Sequence, residues 1–253
     1  MKKFSLYLIL SVFILACGKD SGREFAGMGS DGGGSGTGGS TARFAIQGDV
    51  LYAVNHKTIK TFDISTPGTP SPVGEVAIGN DIETIFPKDQ YLFIGSMSGM
   101  IIMDATNPHA PVHVSTYEHI VSCDPVVAND DYAYVTLRSN LDGWGRCWRA
   151  VNQLEIIDIS NPKFPELINI VAMNSPRGLG IDANLNLFVC DDALKHLDVT
   201  NPLAVINKGS YPMTGALDVI PLADHLVVIA ADGFYQYFID NGKLTLLSKI
   251  PVG

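Results

Sequence analysis

The stretch LEIIDISNPKFPELINIVAM, residues Leu154–Met173, decides the fold of this 253-residue chain. It reads as a short apolar strand that ends in Asp, a Ser/Asn turn, a proline and a second strand. Similar units begin at Ile59, Met100 and Leu194, and a degraded unit, QYFIDNGKLTLLSKIPV, occupies residues 236–252. The chain is therefore an array of one repeated strand–turn–strand unit.

The aspartates that end the first strand of each unit recur at nearly regular intervals. They are separated by 41, 54, 40 and 42 residues, and in four units a proline follows the aspartate by four positions. A period in the low forties made of short strands is typical of a β-propeller with one four-stranded blade per repeat. The sequence therefore predicts an all-β fold, a five-bladed β-propeller of four-stranded antiparallel blades over residues 42–253, with an incomplete ring as the alternative. The five aspartates are Asp63, Asp104, Asp158, Asp198 and Asp240.

These aspartates have two interpretations. Repeated carboxylates can bind calcium, but no Asp-x-Asp-x-Asp-Gly loop accompanies them. An aspartate before Ser/Thr/Asn-x-Pro instead accepts hydrogen bonds from its own turn, so we expect a structural role. We predict no metal site and no cofactor. Cys190 ends a second strand where other blades have Gly, Thr or Ala, and it is expected to be a buried, unreactive small residue.

The units MIIMDATNP, from Met100, and LEIIDISNP, from Leu154, resemble the LVIVD repeat of bacterial secreted proteins and lipoproteins. The resemblance extends over the chain after the linker and weakens in the last unit, where Asp240-Asn241-Gly242 replaces the turn. It implies a propeller-like fold, a cell-envelope location and no established enzymatic role. It brings no catalytic residues to this chain, and none are predicted.

The first 41 residues predict export and membrane attachment. Residues 1–16, MKKFSLYLILSVFILA, combine two lysines with an apolar run and are typical of a signal peptide. The ending Ile14-Leu15-Ala16-Cys17 resembles a bacterial lipobox, so Cys17 is predicted to be lipidated, the alternative being an ordinary signal peptide with an incidental cysteine. Residues 17–41 are rich in Gly and Ser and are predicted to form a flexible linker; without a Gly-Lys-Ser/Thr ending they are not a nucleotide site. We expect a lipid-anchored protein of the cell envelope, at the outer membrane or cell surface.

The charge balance excludes one class of partner. Lys and Arg total 17 against 26 Asp and Glu, a net charge of −9, and no basic stripe is present to neutralise phosphates. This argues against nucleic acid as a partner. The predicted partners are the membrane, through the N-terminal lipid, and an envelope protein or a glycan.

One repeat is longer than the others. The spacing of 54 residues contains an insertion, SNLDGWGRCWRAVN, at Ser139–Asn152, between strands two and three of blade three. Trp and Arg in a long surface loop are the residue types that anchor interfaces. The loop therefore either recognises a partner or covers the ring as a lid. Its candidate binding residues are Trp144, Arg146, Trp148 and Arg149.

The insertion shares one end of the propeller with several charged residues. In a four-stranded meander, the loop between strands two and three lies at the same end as the connection into strand one. The candidate binding residues that enter inner strands near the axis at this end are Asp81, Glu83, Asp124, Arg177 and Asp218. Cys123 and Cys147 are neighbours within blade three, so in an oxidising compartment we expect them to form a disulfide.

Two functions follow from these features. The first is an extracytoplasmic binding or interaction module without catalysis. The alternative is a glycan-cleaving enzyme that uses carboxylates at the axial end, from among Asp81, Glu83, Asp124 and Asp218. Hydrolysis would require a carboxylate pair about 5 Å apart for retention or up to 9.5 Å apart for inversion. No catalytic signature is present, so the binding module is the prediction.

Overall fold

The computed structural model describes residues 38–119, 125–139, 151–240 and 242–252. These residues form twenty strands in five sheets. The strands of the first two sheets are β1 (Phe44–Gln47), β2 (Val50–Val54), β3 (Thr58–Asp63), β4 (Ser71–Ala77), β5 (Ile82–Lys88), β6 (Tyr91–Ser96), β7 (Gly99–Asp104) and β8 (Val112–Glu118). Those of the other three are β9 (Val126–Ala128), β10 (Tyr132–Leu137), β11 (Gln153–Asp158), β12 (Glu166–Ala172), β13 (Leu179–Ile181), β14 (Asn186–Cys190), β15 (Leu194–Asp198), β16 (Ile206–Tyr211), β17 (Ala216–Pro221), β18 (His225–Ala230), β19 (Gly233–Asp240) and β20 (Lys243–Pro251).

Each sheet is one antiparallel meander of four consecutive strands, which we number blades one to five in chain order. The first strands of successive blades, such as β1 and β5 or β13 and β17, contact one another, so they form the inner layer. This confirms the predicted five-bladed, all-β propeller. Among the described residues there is no helix that could cross a membrane.

Apolar cores lie between consecutive blades. Separate buried clusters join blade one to two, two to three, three to four and four to five. Accordingly, every residue of β14 in blade four is buried, as expected of a strand covered on both faces. In β2 and β18 buried and half-buried residues alternate instead, because no apolar cluster of described residues joins blade five to blade one. We call this junction the seam.

The repeated Asp-to-Pro corner has a structural role, as predicted. In blade two the Asp104 carboxylate accepts a hydrogen bond from the backbone N–H of Thr106 at 2.7 Å, and the corresponding bond in blade three, from Ser160 to Asp158, is 2.9 Å. The same bond forms at Asp63 and Asp198. These hydrogen bonds lower the pKa of Asp104 and confirm that the aspartates bond their own turns.

The corners also join neighbouring blades. Ser115, in the outer strand of blade two, donates to the carbonyl of Pro162 in the corner of blade three at 2.5 Å. Asn169 of blade three donates in the same way to Pro202 of blade four at 2.7 Å. The corners of blades three and four therefore each supply a proline carbonyl as an acceptor to the preceding blade.

Candidate functional site

A cavity of about 410 Å³ lies at the end of the propeller where the chain enters strand one of each blade. Its lining combines residues of blades two, three, four and five with the segment that precedes β1. We call this cavity the arginine mouth, because all three arginines of the described residues line it. The lining residues used below are Thr41, Arg43, Glu83, Arg138, Arg177 and Leu217.

The backbone around Arg177 is bonded on both sides. The Arg177 N–H donates to the carbonyl of Cys190 at 2.7 Å, and its own carbonyl accepts from the Thr136 hydroxyl at 2.6 Å. Just upstream, the N–H of Asn174 donates to the buried carboxylate of Asp191. The guanidinium of Arg177 therefore extends from a fixed backbone at the rim of the cavity.

Arg138 follows β10 and is half-buried beside two other charged groups. Burial lowers the pKa of its guanidinium, the charge of Arg177 lowers it further, and Glu83 opposes both effects. An arginine remains protonated under these conditions. Two guanidinium groups and one carboxylate are thus close enough to influence one another inside the mouth.

Asp218 lies beneath the mouth, and its carboxylate accepts hydrogen bonds from within the fold. Its side chain is buried, and it accepts hydrogen bonds from the Ser40 hydroxyl at 3.1 Å and from the backbone N–H of Thr41 at 3.2 Å. The Thr41 hydroxyl and the N–H of Val219 donate to the same carboxylate. Burial nevertheless raises the pKa of Asp218, because desolvation outweighs these hydrogen bonds.

The segment that binds Asp218 crosses from blade to blade. The Ser40 hydroxyl also accepts the N–H of Leu179 in blade four at 2.8 Å, while the carbonyl of Ala42 accepts the N–H of Ile85 in blade two at 3.0 Å. We call this set of contacts the clasp. The predicted linker boundary after residue 41 is therefore too late, since Ser40 and Thr41 belong to the propeller.

The hairpins at the opposite end of the propeller carry negatively charged aspartates. All five hairpins between first and second strands include aspartate, at Asp49, Asp89, Asp130 with Asp131, Asp182 and Asp224. A cavity of about 800 Å³ at this end is lined by Asp130, Asp131 and Asp182 with a single lysine, Lys88. The two cavities thus differ in charge: three aspartates and one lysine line the larger one, and three arginines and one glutamate line the mouth.

The predicted site residues have different outcomes. Glu83 and Arg177 line the mouth together, while Asp218 is buried by the clasp. Asp81 does not line the mouth; it adopts a left-handed backbone conformation, with φ of 56°, and its carbonyl accepts the N–H of Met97. Cys17, Asp124, Trp144, Arg146, Trp148, Arg149 and the Cys123–Cys147 disulfide lie outside the described residues, so these predictions stand as made.

Sequence reasoning missed Arg43 and Arg138. The available signal was the position of Arg138, directly after the second strand of blade three and immediately before the insertion.

Two buried groups of blade four lie apart from the mouth lining. Cys190 is fully buried, as predicted, and burial raises the pKa of its thiol. His196 is also fully buried: it stacks on Phe188 at 4.8 Å, and its Nε2 donates to the Oδ1 atom of Asn186 at 2.8 Å. Burial and the charge of Lys208 lower the pKa of His196. Both side chains are parts of the core.

Comparisons with known proteins agree with this architecture. The family model described as "LVIVD repeat" matches residues 85–119 and 150–172, in blades two and three. No curated protein sequence matches the chain.

Solved structures extend the agreement to the whole propeller. A protein of unknown function from Desulfotomaculum acetoxidans DSM 771 is 11% identical, with a TM-score of 0.66 over 89% of this chain and 72% of that chain. The periplasmic gluconolactonase PpgL of Pseudomonas aeruginosa is 14% identical, with a TM-score of 0.60 over 81% of this chain and 68% of that chain. BamB from Moraxella catarrhalis is 13% identical, with a TM-score of 0.51 over 83% and 67%. The protein is a five-bladed β-propeller that contains LVIVD repeats.

Proposed function

We propose that the protein is an exported, lipid-anchored binding module of the cell envelope that recognises its ligand or partner at the arginine mouth. The observation that carries this proposal is the convergence of Arg43, Arg138 and Arg177 on one cavity in a chain of net charge −9. Placing like charges together costs free energy, so such a cluster is a functional-site candidate on physical grounds. Concave sites with a few convergent polar groups are also the usual place of ligand binding.

The clasp supports a binding role over glycan cleavage. Two-carboxylate hydrolysis needs a second carboxylate facing the same cleft as the first. Glu83 lines the mouth, but Asp218 is buried under Ser40 and Thr41, with both carboxylate oxygens accepting hydrogen bonds. The fold alone does not distinguish binding from catalysis, since its structural relatives include a gluconolactonase as well as BamB.

The described ends of the insertion relate it to the same site. Ser139 and Asn152, at its two described ends, are joined by a hydrogen bond of 2.9 Å from the Ser139 N–H to the Asn152 side chain. Arg138, which precedes this point, lines the mouth. Trp144 and Trp148 therefore belong to a loop that starts and ends beside the mouth, and we propose that they contribute to recognition.

Two experiments test the proposal. The full chain is screened against a glycan array and cross-linked to proteins of the envelope fraction, with Arg177→Gln and Trp148→Ala as variants and Lys163→Gln, an exposed charge on the corner of blade three, as the matched control. Loss of the bound species in both variants and not in the control supports the site; unchanged binding in both discards it. Membrane fractionation of Cys17→Ser tests the anchor, because release of the variant into the soluble fraction is expected only if the lipid is the attachment.

A further inference from the structure

Building on the proposed function, we propose that the arginine mouth selects small ligands that carry a carboxylate or phosphate group on a hydroxylated body. The chemistry follows from the lining. Three guanidinium groups against the single carboxylate of Glu83 leave an excess of positive charge among the described lining residues. Guanidinium groups present paired N–H donors that match carboxylate and phosphate oxygens bidentately.

The distribution of charge along the axis favours an anion at this end. The hairpins of all five blades place aspartates at the opposite end, where the larger cavity has three carboxylates and one lysine. An anion is therefore repelled from the larger cavity and attracted to the arginine mouth. The net charge of the protein, −9, does not provide this discrimination, because it repels anions everywhere.

The size and lining of the mouth limit the rest of the ligand. A volume of about 410 Å³ is at the small end of the range of ligand cavities, roughly 300–1,000 Å³. Thr41, Thr84 and Glu83 supply hydroxyl and carboxylate oxygens, whereas only Pro125 and Leu217 supply apolar surface. A compact ligand with hydroxyl groups fits this lining better than an apolar one, because hydroxyls can bond to these oxygens.

The site is also positioned before a ligand arrives. The backbone of Arg177 is bonded through both its N–H and its carbonyl, and Gly178 beside it is bonded to Leu217 of blade five at 3.0 Å. A fixed rim reduces the entropy that is lost on binding. We therefore expect the Arg177 side chain, and not the backbone, to adjust to the anion.

A matched set of three sugars tests the inference. Glucose, glucuronate and glucose 6-phosphate share a ring and differ only in the group at the sixth carbon, which is a hydroxymethyl, a carboxylate or a phosphorylated hydroxymethyl group, respectively. Each is titrated calorimetrically into the full chain purified in mild detergent, at low and at physiological ionic strength. We expect at least one of the two anionic sugars to bind tenfold or more tightly than glucose, and to weaken as salt is added. Whichever anionic sugar binds more tightly identifies carboxylate or phosphate as the recognised group.

Variants assign the effect to the mouth. Arg138→Gln and Arg177→Gln should each weaken the anionic sugar about tenfold or more, since a hydrogen bond to a charged group is removed. Arg43→Gln, at an exposed position, keeps the test valid if either variant at the two half-buried arginines fails to fold. Lys163→Gln removes the same charge at the opposite end and should leave binding unchanged. Thermal unfolding of each variant separates loss of binding from loss of fold.

The outcomes separate this inference from the proposed function. Equal binding of all three sugars, or no binding of either anionic sugar, overturns the anion preference. The array and cross-linking experiments decide independently whether the arginine mouth binds anything. A neutral glycan that is captured by the wild-type chain and lost in Arg177→Gln would keep the proposed function and refute the anion preference.

Discussion

Replacing Asp218 with alanine should destabilise the propeller more than any substitution of an exposed aspartate. Asp218 is 5% exposed, and its carboxylate accepts four hydrogen bonds, two of them from backbone N–H groups, at Thr41 and Val219. Truncation leaves those donors without an acceptor and releases Ser40 from blade five. An unsatisfied buried donor costs about 1–3 kcal/mol. The cost is offset in part because the buried, ionised carboxylate is itself unfavourable.

From these opposing effects we expect a loss of about 2–4 kcal/mol in the free energy of unfolding, within the range of damaging point substitutions. For a domain of this size, each kcal/mol lowers Tm by about 2–4 °C, which predicts a fall of roughly 5–15 °C. The assay is thermal unfolding of the full chain followed by circular dichroism. Asp131→Ala, in an exposed hairpin, is the control and should change stability by less than about 0.5 kcal/mol.

The pH dependence of the same residue provides a second, sharper readout. Because the pKa of Asp218 is raised in the fold, the proton-linked part of its contribution to stability is present below the unfolded pKa of about 3.9 and is lost as pH rises through the folded pKa, whereas the hydrogen bonds that the carboxylate accepts remain. Asp218→Asn cannot ionise and should lack this component, at the cost of one backbone N–H left facing the amide. A Tm of Asp218→Ala equal to that of the wild type at neutral pH would refute the clasp.

Three further predictions concern blades three and four. His196→Gln keeps an amide donor toward Asn186. Because the pKa of His196 is lowered in the fold, the unfolded chain is protonated first, and the wild type loses stability as pH falls below about 6.5. The variant should lack this loss of stability. Cys190 should react with a maleimide only after denaturation, as read by peptide mass spectrometry, since it is fully buried with a raised pKa. Asn169→Ala should cost about 1 kcal/mol in a denaturant titration by removing the bond to Pro202; an unchanged midpoint would show that the corner does not join these blades.

The strands could be predicted because each repeat carries its own copy of the strand and turn pattern. Apolar runs, Asp-to-Pro corners and Asp/Asn turns recur along the chain, and the described residues form the five four-stranded meanders that this pattern predicts. Even the role of Asp104 and its equivalents was predictable, since the partner is two residues away. Local hydrogen bonds of this kind depend on the sequence neighbourhood alone.

The arginine mouth and the clasp could not be predicted in the same way. Arg43 and Arg138 belong to different blades, and only the closure of the sheets around an axis places them in one cavity. Asp218 was placed near the axis correctly, but its partners Ser40 and Thr41 lie 178 and 177 residues away, at the end of a Gly/Ser tract. The composition of that tract predicts disorder. Composition describes the tract as a whole, so it does not reveal the two residues that bind Asp218.

The seam connects the clasp to function. Apolar residues of the two end blades stay partly uncovered in a first and a third strand: Phe44 of blade one is 57% exposed, and Phe234 of blade five is 43% exposed. Since no apolar cluster of described residues joins these blades, polar contacts near the axis carry more of the ring's stability than they would in a ring with five equal junctions.

Thr41 takes part in both the clasp and the arginine mouth, because it binds Asp218 and also lines the cavity. A ligand in the mouth should therefore stabilise the ring, by RT ln(1 + [L]/Kd), and raise Tm with concentration. Weakening the clasp should in turn lower the affinity of the mouth for the ligand, since Thr41 and Arg43 are then less well positioned. Titrating the sugar that binds the wild type into Asp218→Asn tests this reciprocity. Equal affinity in the two proteins would show that the mouth is independent of the junction between the first and last blades.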